Sequence, residues 1–324
     1  MRVAILSLPD SRLVTIAGTI EMLWQAYSSM APGNPEPIEI ELIGLDKSLL
    51  HFDPSFYLQS TSTITDNLKV DSVIVPAMDM DIAKSLERSK DFIPWLQKQY
   101  QESKATFYSQ CNGTFLLAAA GLLDGKKCTT HWMFADLFKD MFPRVELLED
   151  EVAVFDGRFG TSGGAVSSLK LVLQLIEQWR GSETAKYISE LMLLDPDKSP
   201  PAYFSKFTGY NNHNDKAILE SQLFIEKNYR RSMNIKDLAK AVSLSERTYI
   251  RRFKKATHQT PTQYIQKVRI EVGKEHLATR KKSVEQIMRQ TGYTDPKSYR
   301  NLFRKHTGLT PLEYRRKFNA SMVA

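Results

Sequence analysis

The chain has 324 residues, 44 Lys+Arg against 37 Asp+Glu, a formal net charge of +7, 42% hydrophobic and 25% charged residues, and two cysteines. That length predicts about two domains, the composition excludes a disordered or collagen-like chain, and Cys111 and Cys128 are too few for a disulfide framework or a Cys-rich zinc module. No uninterrupted apolar run approaches the roughly 18 residues of a membrane helix, and the opening MRVAILSLPDSRL meets Pro9 and Asp10 too early for a secretory signal, so a cytoplasmic protein without membrane contact is expected.

The first part of the chain alternates strand-like and helix-like stretches. Residues 3–8 (VAILSL) and 72–75 (SVIV) are short apolar runs suited to buried parallel strands. Residues 38–45 (IEIELIGL) alternate more, as an edge strand does. Residues 13–27, 81–100 and 164–179 carry apolar side chains at helical spacing. This order predicts an α/β doubly wound parallel sheet with helices on both faces.

Within it, residues 106–132 (TFYSQCNGTFLLAAAGLLDGKKCTTHW) hold the most chemically suggestive pattern. An apolar strand ends at Cys111, Asn112-Gly113 makes a turn and a small-residue helix follows. Such an elbow exposes a side chain at the carboxyl end of a strand, where ligands of α/β proteins bind. It places Cys111 near a helix N-terminus, which lowers a thiol pKa. His131 ends the strand-like KCTTH and completes the minimal nucleophile–base pair. These residues leave two readings open: a pocket, or a buried small hydrophobe beside a core histidine. Cys128 reads as core.

Residues 195–215 are rich in Pro, Gly and Asn and read as a linker whose aromatics Tyr203, Phe204, Phe207 and Tyr210 pack on a neighbour. The domains are therefore expected at 1–194 and 216–320. Beyond the linker only helical periodicity appears, and it contains a repeat. Residues 245–264 align with 295–314 at an offset of 50, matching Tyr249 with Tyr299, Phe253 with Phe303, Thr257 with Thr307, Pro261 with Pro311 and Tyr264 with Tyr314. Upstream the offset is 49, so one residue has been added in the second turn. Each copy reads as helix, tight turn, helix, over about 235–256 and 284–306, with Ser245 and Asp295 as N-caps and Pro296 at the first helical position.

Charge separates the two parts. Residues 1–210 hold 19 Lys+Arg and 27 Asp+Glu, a net of −8, whereas residues 211–324 hold 25 and 10, a net of +15. Tyr249 and Phe253 share one face of their helix, as do Tyr299 and Phe303, and these faces are assigned to the core. The opposite faces then present Arg247, Ile250, Arg251 and Lys254 in the first copy, and Lys297, Arg300, Asn301 and Arg304 in the second. Arg and Lys suit guanine and Asn suits adenine in a major groove. Arg252, Lys255 and Lys305 lie nearer the edges and suit phosphates. The competing reading is an ordinary solvated basic face. Residues 261–279 form one long helix between the copies, which would set two readers in successive major grooves about 34 Å apart.

Residues 217–318 resemble the AraC/XylS family DNA-binding domain of seven helices and two helix-turn-helix units, most specifically through GYTDPKSYRNLFRKHTGLTPLEYR at 292–315. The resemblance implies sequence-specific binding to double-stranded promoter DNA, usually activation, with RNA polymerase as partner. By position it assigns base reading to Arg247, Ile250, Arg251, Lys297, Arg300 and Asn301; Ile250 departs from the polar residue common there. Residues 1–180 resemble the ThiJ/PfpI-like superfamily, related to class I glutamine amidotransferases, through CNGTFLLAAAGLLDGKKCTTHW at 111–132 and GRFGTSGG at 157–164. The order of the two domains is that of GlxA-type transcriptional regulators.

Enzymes of this superfamily set an acidic side chain from the first βα region against the cysteine; here Thr15 stands in that place and Glu21 lies six residues on. Pro76-Ala77-Met78 also lacks the Gly-Gly through which such enzymes offer backbone donors. These departures argue for a pocket that binds a ligand without processing it, and no catalytic residues, no metal and no cofactor are expected. Its candidate residues are Thr15, Cys111, Asn112, His131, Trp132 and Ser162. An amino acid or quaternary ammonium compound is the implied small-molecule effector, and a homodimer formed through the first domain the implied assembly. Two rivals are a Cys-dependent hydrolase or deglycase with a DNA-binding tail, and an architectural protein that binds DNA without sequence preference.

Overall fold

In the computed structural model, which describes residues 1–28, 37–53, 56–149, 151–164, 167–194, 207, 209, 213–279 and 282–318, the chain divides into two compact units, Met1–Pro200 and Pro201–Ala324. Apart from Phe207, Gly209 and residues 213–215, the expected linker at 195–215 lies outside the described residues.

The first unit runs β1 (Arg2–Leu6), α1 (Leu13–Tyr27), β2 (Glu39–Gly44), the hairpin β3 (Leu49–Asp53) and β4 (Phe56–Gln59), β5 (Ser62–Thr63), β6 (Ser72–Val75), α2 (Ile82–Ser89), α3 (Ile93–Glu102), β7 (Thr106–Ser109), α4 (Thr114–Ala119), β8 (Lys127–Cys128), α5 (Ala135–Met141), β9 (Glu146–Leu147), β10 (Ala153–Asp156), β11 (Phe159–Ser162), α6 (Ser168–Arg180) and α7 (Ser182–Leu191). Seven strands form the central sheet in the order β10-β11-β7-β6-β1-β2-β5. All neighbours are parallel except β10 and β11, which are antiparallel. The apolar runs of β1 and β6 are explained by burial on both faces. Ala4 and Leu6 enter one core with Val73, Val75 and Phe107, while Val3 and Ile5 enter the other with Ile74, Tyr108, and Ile16 of α1. That alternation is the period of two of an extended strand.

Three expectations need correction. Residues 38–45 do not form the edge of the sheet, because the two-residue β5 pairs outside β2. The helix expected over 81–100 is broken into α2, a 3-10 turn at Lys90–Phe92 and α3, with Pro94 in the first turn of α3, where its missing N–H costs nothing. The helix expected from 164 begins at Ser168.

The second unit runs α8 (Lys216–Asn228), α9 (Ile235–Ala241), α10 (Glu246–Thr257), α11 (Pro261–Thr279), α12 (Val284–Gln290), α13 (Pro296–Thr307) and α14 (Pro311–Phe318). Its two cores repeat. Tyr249, Phe253 and Tyr264 meet edge to face at 5.5 and 5.4 Å; in the second core Tyr299 meets Phe303 tilted at 5.7 Å, and Phe303 meets Tyr314 edge to face at 5.5 Å. The hydroxyls of Thr257 and Thr307 donate to the carbonyls of Phe253 and Phe303, each at 2.8 Å. Local chemistry starts the helices where the sequence places them. The Ser245 hydroxyl accepts the Thr248 N–H, and the Asp295 carboxylate accepts the N–H groups of Lys297 and Ser298. A capping box between Ser283 and Gln286 starts α12.

Candidate nucleic-acid interface and cysteine elbow

On α10 and α13 the division of faces is sharp. Tyr249, Phe253, Tyr299 and Phe303 are at most 1% exposed. Arg247, Ile250, Arg251, Lys254, Lys297, Arg300, Asn301 and Arg304 are all exposed. Their positions repeat at one offset because both helices bury the same aromatic pair. Among the described residues, none of these eight side chains makes a hydrogen bond or salt bridge within the chain, so seven polar heads are open to a partner. Arg252 differs. Its guanidinium donates to both carboxylate oxygens of Asp215, Nε at 2.9 Å and Nη2 at 2.6 Å, and this bond holds the Asp215 carboxyl below its ordinary range. The phosphate role expected of Arg252 therefore meets a bidentate competitor within the chain. Lys255 and Lys305 remain exposed on the last turns.

In the first unit the elbow is real but tighter than expected. β7 ends at Ser109, Gln110 follows in extended form, and Cys111–Gly113 makes a 3-10 turn into α4. Cys111 sits at φ +56, the left-handed region a non-glycine residue rarely adopts. Gly113 lets this turn press against the end of β6, since a Cβ there would lie 2.5 Å from the Pro76 carbonyl oxygen. The Cys111 carbonyl is held by the Thr130 hydroxyl at 3.1 Å.

The expected lowering of the Cys111 thiol pKa is overturned. Burial pushes it up to about 11, outweighing the Asn112 N–H and the nearby Arg12 charge, which favour the thiolate. Cys128 is wholly buried in the core and is pushed up to about 12 for the same reason. His131 does not hydrogen-bond to Cys111. Its Nδ1 accepts the Met133 N–H at 3.3 Å, capping a 3-10 turn, and burial lowers its pKa. Instead of the strand expected over KCTTH, only Lys127 and Cys128 pair, with β9.

The six candidate ligand residues fall into two groups. Cys111, His131 and Trp132 are half-buried, with the His131 and Trp132 rings 5.4 Å apart. Thr15, Asn112 and Ser162 are at most 1% exposed and already bonded. Thr15 donates to the Arg12 carbonyl at 2.7 Å and accepts the Ala77 N–H at 3.3 Å. Asn112 accepts the Met78 N–H at 2.8 Å and donates to the Met78 and Asp79 carbonyls at 3.2 and 2.9 Å. Ser162 shares a hydrogen bond with Ser168 at 2.9 Å. The backbone donors of Ala77 and Met78 are thus consumed by side chains, a consequence that residue types alone did not reveal. Arg12, missed in the sequence, stands near the thiol and pairs with Asp79 at 2.9 Å. A separate open groove of about 810 Å³, lined by Val152, Phe155, Leu173, Lys186 and Leu194 among others, contains none of the six. Among the described residues no cluster of His, Cys, Asp and Glu could hold a metal ion, and no helix is long and apolar enough to cross a membrane.

Comparison with known proteins places both units. The model of the DJ-1/PfpI family matches residues 3–178, and a helix-turn-helix domain model matches residues 238–317. The HTH-type transcriptional regulator GbdR of Pseudomonas aeruginosa (strain UCBPP-PA14) is 25% identical over 78% of this chain and 68% of its own length. Isonitrile hydratase of Pseudomonas putida is 29% identical over 51% of this chain and 68% of the enzyme. A solved ThiJ/PfpI family protein from Pseudomonas syringae shares the fold at a TM-score of 0.51 and 19% identity, covering 63% of this chain and 82% of that one. The chain belongs to the DJ-1/PfpI family and joins that domain to an AraC-type helix-turn-helix domain, the make-up of a transcriptional regulator.

Proposed function

We propose that the chain is a sequence-specific activator of transcription, acting as a homodimer on promoter DNA with RNA polymerase, and controlled by a small metabolite bound at the elbow of its first unit. The observation that carries the DNA reading is the pair of exposed faces on α10 and α13. Equivalent positions in a repeat, in a segment of net charge +15, present donors suited to base edges and leave them unpaired. In the first unit, Cys111, His131 and Trp132 meet the effector, while Thr15, Asn112 and Ser162 hold the walls. The Trp132 face suits the cation of an amino acid or quaternary ammonium compound. Binding without turnover is supported by the raised thiol pKa and by the two consumed backbone donors.

Similarity to isonitrile hydratase is the observation that favours an enzyme instead. Cys111→Ala separates the two. A hydrolytic or hydratase activity that vanishes in this variant while promoter response persists would overturn binding without turnover. For the DNA faces, Arg251→Ala and Asn301→Ala should each cost about 1–3 kcal/mol at particular base positions in gel-shift competition at defined salt. A loss spread evenly over all sequences would show phosphate contact only. A metabolite bound by the native first unit should raise the unfolding temperature of the full chain.

A further inference from the structure

Helix α11 belongs to both halves of the DNA-binding unit. Tyr264, Ile265 and Val268 enter the core of the first helix-turn-helix, while Ile270 and Leu277 enter that of the second. Arg269 stands at the boundary. Its Nε donates to the Tyr229 carbonyl and its Nη2 to the Arg231 carbonyl, both at 2.8 Å. Those two carbonyls lie at the end of α8, on the first half. The same guanidinium lies 5.3 Å from the ring centre of Tyr293, in the turn of the second half. Tyr293 in turn packs at 5.3 Å on Tyr299 of the reading helix α13.

Gly292 closes this joint from the other side. A Cβ there would lie 3.0 Å from the carbonyl oxygens of both Tyr229 and Arg230 and 3.2 Å from Cζ of Arg269. Its φ of +87 favours glycine, but a left-handed φ is not the whole reason, since the equivalent residue of the first copy, Ser243, holds φ +58 with a side chain. Ser243 is exposed and bears on no such joint. What distinguishes position 292 is the backbone of the first half pressed against it.

We propose that Arg269 and Gly292 are positioning residues that fix the separation and rotation of α10 and α13, so that the two readers engage successive major grooves as one rigid body. Neither touches a base. Each acts by holding the end of α8, the middle of α11 and the turn before α13 together. A rigid pair gives the second reader a high effective concentration once the first is bound, and confines it to one spacing along the duplex. A loosened joint sacrifices both.

The inference rests on the two faces reading DNA, and its test keeps the two claims apart. A duplex selected by the full chain from a randomised pool, its two boxes located by footprinting, serves as probe. Companion duplexes carry one scrambled box or two extra base pairs between the boxes. Arg269→Lys keeps the charge but loses the fork; Gly292→Ala leaves Arg269 in place and strains the contact, and decides the matter if the first variant fails to fold. Both should bind the selected duplex roughly tenfold more weakly, bind the one-box duplexes as the unaltered chain does, and show a smaller penalty for the inserted base pairs. Equal weakening on one-box and two-box duplexes, or an unchanged insertion penalty, would reduce the joint to a fold-stabilising contact. Failure to select any duplex would overturn the DNA reading and the joint's role with it.

Discussion

At Cys111 two physical effects oppose each other. A helix N-terminus favours a thiolate by about 0.3–1 kcal/mol at an exposed position. Here the helix is six residues long, entered through a 3-10 turn, and the sulfur lies among buried neighbours. Burial wins, and the thiol is pushed up to about 11. Because the thiolate is the reactive form, a raised value keeps Cys111 neutral and unreactive at neutral pH. Alkylation by iodoacetamide, followed at the peptide carrying Cys111 by mass spectrometry, should therefore climb about tenfold for each step of one in pH through 9 and 10. It should level off only near 11. A plateau at or below pH 8 would show a thiolate stabilised by its surroundings. The elbow itself was legible in QCNGT, since a strand, a turn and a helix follow from local composition. The sign of the pKa shift was not, because it depends on what the fold packs around the sulfur, which neighbours in sequence do not record.

Among the helical elements the repeat survives where side-chain identity does not. Ser243 and Gly292 both stand after the last turn of their helices in the left-handed region, at φ +58 and +87. His258 and Gly308 do so after α10 and α13, at φ +57 and +73. Glycine occupies such a position without the Cβ clash that an L-residue suffers. Ser243→Gly should therefore raise the stability of the helical unit by about 0.5–1 kcal/mol, read as a higher unfolding midpoint in calorimetry of the full chain. Unchanged or lowered stability would mean that the Ser243 side chain contributes more than its backbone costs. Helix starts in this unit were legible because Ser245, Asp295 and Pro296 act on their own backbone within one turn. In the first unit the place of β2 was not legible. The outer strand β5 has two residues, Ser62 and Thr63, too few to leave a periodic trace, and its pairing is a contact between segments far apart in the chain.

Across the whole chain, an acidic part of −8 precedes a basic part of +15, yet charge does not translate evenly into DNA contact. Each phosphate neutralised by a lysine or arginine contributes about 0.9 to the slope of log affinity against log salt on duplex DNA. Arg252 is as cationic as its neighbours on α10, but its fork is engaged by Asp215 through two hydrogen bonds. Joining a phosphate would require breaking both bonds and leaving a carboxylate beside the polyanion. Lys305, exposed on the last turn of α13 and without a partner carboxylate among the described residues, faces no such cost. Lys305→Ala should therefore lower the salt slope of binding by about 1, measured by titration between low and moderate salt, while Arg252→Ala should leave it unchanged. Arg252→Ala should instead lower the unfolding temperature, because it removes the tie between α10 and the residue that caps α8. Equal losses of slope in the two variants would mean that DNA outcompetes Asp215 and draws Arg252 into the interface.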